Sequence, residues 1–487
     1  MKKLLLITTL CFAFSVNAQW VQDGTNITGE ASNDEFGSSV SLNDNGSIVA
    51  VGAIGNDGTG ANAGHVRVYS NNSGSWAQLG GDIDGEAAGD NSGVAISMNS
   101  SGNIVAIGAN LNDGNGVDSG HVRVYRRNVS GVWVQLGGDI DGEAAGDMSG
   151  SSISLNSTGG ILAIGAIRND GGGTDSGHVR VFQYVSNAWV QLGQDINGVG
   201  SNKYLGEGVA LNDAGDILAV GQAYGGVNGV NSGRVAVYQN ISGTWTQIGS
   251  DINGSIARES IGSALSLNST GNIIAIGGEL ADNNGTDSGI TKVYQNISGT
   301  WTQIGTNIVG QAAVELFGCS VSLNSAGDVL AVGANRNSSN GVSSGQTRVF
   351  RNISGTWIQL DNNINGLQAN TFSGWSVSLN SDGSKLAVGA PFNGAGNTRV
   401  FTSTTLSAND FQLNGKEITL YPNPSNSMFQ LETELQIENV ELYSLQGQLV
   451  KTFETQNQYN ISDLTKGVYL VKINSQEGTA NKTLIIE

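Results

Sequence analysis

The polar and apolar positions of this chain follow one short rule, repeated many times. Between residues 38 and 79 four apolar-rich runs are separated by polar, glycine-bearing ones: Ser38 to Leu42 (SSVSL), Ser47 to Ala53 (SIVAVGA), His65 to Tyr69 (HVRVY) and Trp76 to Leu79 (WAQL). Runs this short, rich in β-branched residues and bounded by Gly, Asn and Ser, predict strands. The second is apolar at nearly every position, as expected of a strand covered on both faces. HVRVY alternates, which predicts a more outward strand with one wet face. The first and second runs are joined by Asn43-Asp44-Asn45-Gly46, and later by Asn212-Asp213-Ala214-Gly215 and Asn324-Ser325-Ala326-Gly327. Asn at the first position and Gly at the fourth predict a type I turn leading into a left-handed residue. Asn240-Ile241-Ser242-Gly243 predicts the other short hairpin, between a third and a fourth strand.

The rule recurs with a fixed period. YQNISGTWTQIG occurs verbatim at 238–249 and 294–305, and tryptophans at 20, 76, 133, 189, 245, 301 and 357 are spaced by 56 or 57 residues. Glycines 37, 93, 150, 206, 262, 318 and 374 run in step with them. Seven four-stranded units of this length predict an all-β chain folded as a seven-bladed β-propeller. The last unit supplies strands near Ser376 to Leu379, Lys385 to Ala390 and Thr398 to Phe401, but no Trp strand follows it. The spare Trp strand is at the other end, Trp20 to Gln22, and is predicted to complete the seventh blade and close the ring.

Composition refines this picture. The 72 glycines fall between apolar runs with only 3 prolines, as many tight turns require. Residues 1–18 carry Lys2 and Lys3, an apolar stretch from Leu4 to Val16 and a small-residue context at Val16-Asn17-Ala18, the pattern of a secretory signal peptide. Cys11 would leave with it, so that Cys319 stays as the mature cysteine and stability must come from packing without an intrachain disulfide. No later run is apolar and long enough to span a bilayer. The formal charge is −19, or −21 once Lys2 and Lys3 are removed. Such a surface argues against nucleic acid or anionic membrane as partner, and favours cations, basic partners or solubility.

The units resemble FG-GAP repeats, the blades of integrin-α-like propellers. The matching residues are Phe36-Gly37, Phe317-Gly318 and Gly389-Ala390-Pro391, with partial matches at Gly52-Ala53, Gly108-Ala109, Gly165-Ala166 and Gly333-Ala334. In this chain the tight Asn-x-x-Gly turns replace the family's calcium loop between the first two strands, so the family's metal sites do not carry over. Beyond Leu406 the repeat stops. Tyr421-Pro422-Asn423-Pro424, then Gly467-Val468-Tyr469 and a terminal segment from Lys482, resemble the type A C-terminal sorting domain of the type IX secretion system of Bacteroidetes. The resemblance implies a small β-sandwich and a role as an export address, with passage through the periplasm to the outer cell surface or the medium. The predicted domains are a signal peptide at 1–18, the propeller at 19–405, a linker at 406–410 and the sorting domain at 411–487.

Candidate chemistry collects on one face. In a propeller the two short hairpins share a face, while the second-to-third loops and the blade-to-blade crossings share the other. That face carries GGDIDGEAAGD at 80–90 and again at 137–147. Asp113, Asn115 and Asp118, with their counterparts Asp170 and Asp175, and Asp282 and Asp287, are candidate calcium ligands, because oxygen donors interleaved with Gly can wrap a hard cation. The same residues are also what Asx turns require. His65, His121 and His178 recur in GHVRV and are read as blade-surface residues rather than catalytic ones. Asp84 with Glu86, and Asp141 with Glu143, are the pairs available for acid/base chemistry. The Trp series is read as blade packing. These features predict a monomeric secreted or cell-surface binding or adhesion module for a glycan or protein, with an extracellular polysaccharide hydrolase or lyase as the alternative.

Overall fold

The computed structural model describes residues 20–403 except 393, and 418–486 except 445–448 and 476–477. They form two compact units, one ending at Ser403 and one built from the C-terminal residues. The predicted signal peptide, Cys11 and the linker at 406–410 lie outside the described residues.

The first unit is a β-propeller of seven antiparallel sheets. In the first blade the strands are Phe36–Leu42, Ile48–Ala53, His65–Asn72 and Ser75–Gln78, hydrogen-bonded in that order. The second strand, IVAVGA, is buried almost throughout, as its composition predicts. The predicted hairpins form too. Gly46 donates to the Asn43 carbonyl and has φ 65°, while Asn43 Oδ1 accepts the Ile48 amide at 2.8 Å. In the other hairpin Ser242 and Gly243 both have positive φ, a two-residue turn whose twist matches the strands it joins.

The ring closes as the spare Trp strand predicts. Trp20, Val21 and Gln22 pair with Ser403, Thr402 and Phe401, and Ile27 pairs with Thr398 further along the same strand. The innermost strand of each blade contacts that of the next, and Ser376–Leu379 contacts Phe36–Leu42. The serines of the SVSL runs stitch this inner ring: Ser41 Oγ accepts the Met98 amide, Ser97 that of Leu155, and Ser378 that of Leu42, at 2.9–3.1 Å. Farther out, Trp76, Trp133, Trp189, Trp245, Trp301 and Trp357 each donate Nε1 to a backbone carbonyl of the preceding blade. The Trp period therefore reflects a repeated contact between blades. Two glycines of each unit serve that approach: Gly37 has φ 101° at a register shift between Phe36 and Ser39, and a Cβ on Gly52 would overlap the Gly93 carbonyl.

One expectation about the strands needs correction. The third strand has no wet face over HVRVY, since all five residues from His65 to Tyr69 are buried. The reason is a further short strand in the crossing: Ile83 and Asp84 pair with Val66 and His65, covering the end of the third strand that the fourth does not reach.

The C-terminal unit has a three-stranded sheet (Ile418–Tyr421, Met428–Thr433, Tyr459–Asn460) and a four-stranded one (Leu449–Glu454, Ile437–Ser444, Gly467–Ser475, Gly478–Ile486). Both sheets feed one core around Phe429, Val440, Leu442, Tyr459, Val471 and Leu484, as in a β-sandwich.

Candidate functional site: the long-loop face

The crossings hold their shape with one acid and expose another. In GEAAGD, Asp90 is 3% exposed and accepts the Ala87 amide and Asn112 Nδ2, both at 3.0 Å. Asp147 repeats this with Ala144 and Asn169. These carboxylates tie each crossing to the second-to-third loop beside it. Glu86 and Glu143, four residues earlier, are exposed and face the adjoining histidine.

The three histidines are buried, each 1% exposed, which corrects their reading as blade-surface residues. Each begins a third strand, and its ring is turned into the wedge between the crossing that enters its blade and the one that leaves it. His121 Nδ1 lies 3.8 Å from Glu86 Oε2 and 3.9 Å from Asp141 Oδ1. His178 Nδ1 lies 3.8 Å from Glu143 Oε2, and His65 Nδ1 lies 3.9 Å from Asp84 Oδ1. One donor atom from each of Glu86, His121 and Asp139 falls within 4.8 Å of the others, and likewise for Glu143, His178 and Asp195 and for Glu30, His65 and Asp82. Burial first, then the neighbouring arginine, lowers the imidazole pKa in every case, for His178 to about 4. The rings are therefore neutral at physiological pH. No hydrogen bond satisfies either nitrogen of His65, or Nε2 of His121 and His178.

An arginine two residues on distinguishes the three wedges. Arg67 grips Asp82 through Nε and Nη2 at 2.9 and 2.7 Å and also pairs with Glu30. Arg123 and Arg180 instead donate to the carbonyls of Asp84 and Asp141 at 2.7 Å and reach Glu86 and Glu143 only at 3.4 and 3.6 Å. In later blades the wedge is filled differently. Lys292 pairs with Glu259 at 2.5 Å and Arg348 with Glu315 at 2.9 Å, all four side chains at most 3% exposed.

The candidate calcium residues lie on the same face, where they close their own loops. Asp113 Oδ1 accepts the Asp118 amide at 2.9 Å, Asp170 Oδ1 that of Asp175 and Asp282 Oδ1 that of Asp287 at 2.8 Å. Asn115 donates Nδ2 to the carbonyls of Gly142 and Glu143, and Asp287 pairs with Arg258 at 3.0 Å. Asp170 and Asp175 share a cleft of about 400 Å³ with Glu143, His178 and Asp195.

Sequence reasoning missed the positions that follow each unit glycine, at the start of the innermost strands. Counted from the unit glycine, the positions equivalent to Ser38 are Val94, Ser151, Glu207, Ser263, Cys319 and Trp375. Burial pushes the Cys319 thiol up to about 12, and with nearby Glu279 it raises Glu207 to about 7. Trp375 is 40% exposed and sits in an edge-on cluster, 5.2 Å from Phe392 and 6.5 Å from Phe372, with those two rings 5.1 Å apart. The loop that could cover it, 391–396, is about half as long as its counterpart at 54–64. The signal was available, because Trp375 is the one tryptophan outside the periodic series.

In the C-terminal unit the sorting-motif residues flank the first strand and run along the last two. Asn423 Oδ1 accepts the Ile485 amide at 2.8 Å, after Tyr421-Pro422, and Tyr469 donates its hydroxyl to the Thr465 carbonyl at 2.8 Å. Asn423-Pro424 follows the first strand, Gly467 pairs with Ile486, and Lys482 pairs with Val471.

A propeller of repeated blades with its variable chemistry on the loop face, followed by a small sandwich, defines the class. Residues 28–69 match the FG-GAP repeat model, and residues 419–487 match the Secretion system C-terminal sorting domain. The chain thus carries an FG-GAP repeat within its propeller and a type IX sorting domain at 419–487, which directs it to the secretion machinery and to the cell surface or the medium. Among solved structures, the β-propeller domain of Cps50 (Swd1) from Myceliophteria thermophila is similar at 12% identity and TM-score 0.51, over 78% of this chain and 100% of that one. That likeness concerns the fold alone. No curated protein matches the chain. Among the described residues no helix is long and apolar enough to cross a membrane.

Proposed function

We propose that this chain is an exported binding module whose propeller takes an extracellular polysaccharide on its long-loop face. The observation that carries this reading is Trp375. An indole 40% exposed, braced edge-on by Phe372 and Phe392 at the start of the seventh blade's innermost strand, offers an apolar plate. A sugar ring has one such apolar face and a polar rim, and a rigid aromatic side chain can bind that face with little loss of side-chain freedom. Large exposed aromatics grouped on a soluble domain mark interaction sites more often than chance exposure.

Affinity electrophoresis of the mature chain through gels carrying neutral and acidic extracellular polysaccharides tests this. Retardation by at least one polymer, reduced tenfold or more in Trp375→Ala, is expected. Equal retardation of the variant would remove the plate from the function. One observation favours a catalytic reading: a carboxyl raised to about 7, Glu207, is able to act as a general acid at neutral pH. Release of reducing ends or unsaturated sugars that disappears in Glu207→Gln would establish turnover in place of simple binding.

A further inference from the structure

The histidine wedges of the second and third blades have unused coordinating capacity. The imidazoles of His121 and His178 are at most 2% exposed, yet the carboxylates in front of them, Glu86, Asp141 and Glu143, are more than two-fifths open to solvent. The nearest carboxylate oxygens are 3.8–3.9 Å from Nδ1, too far for a hydrogen bond and about half an ångström beyond the separation of ligand atoms around a small divalent ion. Nε2 of His121 and of His178 is buried without a hydrogen-bond partner, so hydrogen bonding does not account for how these rings are held.

The repeats themselves supply an independent comparison. Blades with a histidine at this position have Glu30, Glu86 or Glu143 in the facing crossing. The next four place Arg234, Ile290, Gln346 and Asn397 at the histidine position and Val199, Ser255, Gln311 and Leu367 at the glutamate position. Histidine and glutamate are present together or absent together, although they lie about 35 residues apart. A histidine needed only for packing would not require that particular acid.

We propose that Glu86, His121, Asp139 and Asp141, and equivalently Glu143, His178 and Asp195, form two sites for a divalent transition-metal ion of the zinc class. One neutral imidazole with two or three carboxylates suits such an ion, whereas calcium prefers an all-oxygen shell. Arg67 sets the first wedge apart: its guanidinium already lies between Glu30 and Asp82, so a cation is built into that position. Arg123 and Arg180 donate to backbone carbonyls at 2.7 Å and reach the facing Glu86 and Glu143 only at 3.4 and 3.6 Å, leaving Asp139 and Asp195 to their glutamine neighbours at 2.6 Å. Each ion would join the incoming crossing of a blade to its third strand and outgoing crossing, fastening the long-loop face at two neighbouring wedges.

The test is metal content of the chelator-stripped mature chain after equilibration with zinc and gel filtration, with cobalt substitution as a spectroscopic readout. Two zinc ions per chain are expected, one in His121→Ala and none in the His121→Ala/His178→Ala double variant. Cobalt should give visible absorption that the double variant lacks. Melting curves separate loss of binding from loss of fold: without metal the double variant should still melt cooperatively, and zinc should raise the midpoint of the unaltered chain only. Zinc content unchanged in a folded double variant, or calcium bound where zinc is not, would overturn the proposal. If both histidine variants fail to fold, Glu86→Gln and Glu143→Gln carry the same test, and full zinc occupancy in that pair would overturn it as well.

Discussion

Within GEAAGD two acids four residues apart have opposite fates. Asp90 is buried and holds a turn, while Glu86 is exposed and faces an imidazole. Asp90 accepts one backbone amide and one Asn side chain, whereas Glu86 stands 3.8 Å from His121. Glu207 shows the converse case, an acid held by no hydrogen bond at Oε2. Desolvation, with Glu279 nearby, raises its pKa to about 7 from an ordinary value of 4.5. The folded protein therefore holds a proton there that the unfolded chain has released between pH 4.5 and 7. Stability from this group is greatest below pH 4.5 and falls as the pH rises through 7. Glu207→Gln should stabilise the protein by about 1–2 kcal/mol at pH 8 and by almost nothing at pH 4, a difference that urea denaturation at the two pH values would measure. Equal effects at both would place the origin in packing.

At the scale of elements, the inner ring of serine hydroxyls has one gap. Ser154 accepts the Leu211 amide and Ser266 that of Leu323, but Ala210 has no hydroxyl to offer Leu267 in the next blade. Ala210→Ser restores the repeated bond at a 6% exposed position and should stabilise the propeller by about 1 kcal/mol, read as a higher urea midpoint at unchanged slope. Most elements were legible in the sequence because strand and turn chemistry are local: apolar second strands, Asn-x-x-Gly turns and the unpaired Trp20 strand each announce themselves. The crossing strand Ile83–Asp84 was not, since two residues are too few to show a period. The same omission gave HVRVY a wet face. Its alternation is real, but Arg67 is buried by ion pairs that come from crossings on both sides of its blade.

For the whole molecule, closure by the N-terminal strand joins residues more than 370 positions apart, and the fold follows from pattern alone. The site does not. His121 and Glu86 meet only because two crossings flank one strand, and Trp375, at the start of the seventh blade's innermost strand, is exposed beside a short loop. Comparing one repeat with the next, rather than reading each in isolation, would have revealed both: histidine with glutamate in three units, and a tryptophan out of period in one. The sorting domain places this loop face outside the cell, where a polymer plate and an ion-fastened rim would both serve. Contact between Trp375 and a polysaccharide is read by acrylamide quenching of tryptophan emission with and without a retarding polymer. Polymer should shield an accessible fraction of the emission, and Trp375→Phe should lack this fraction from the start. Quenching unchanged by bound polymer, or shielding that persists in Trp375→Phe, would contradict it.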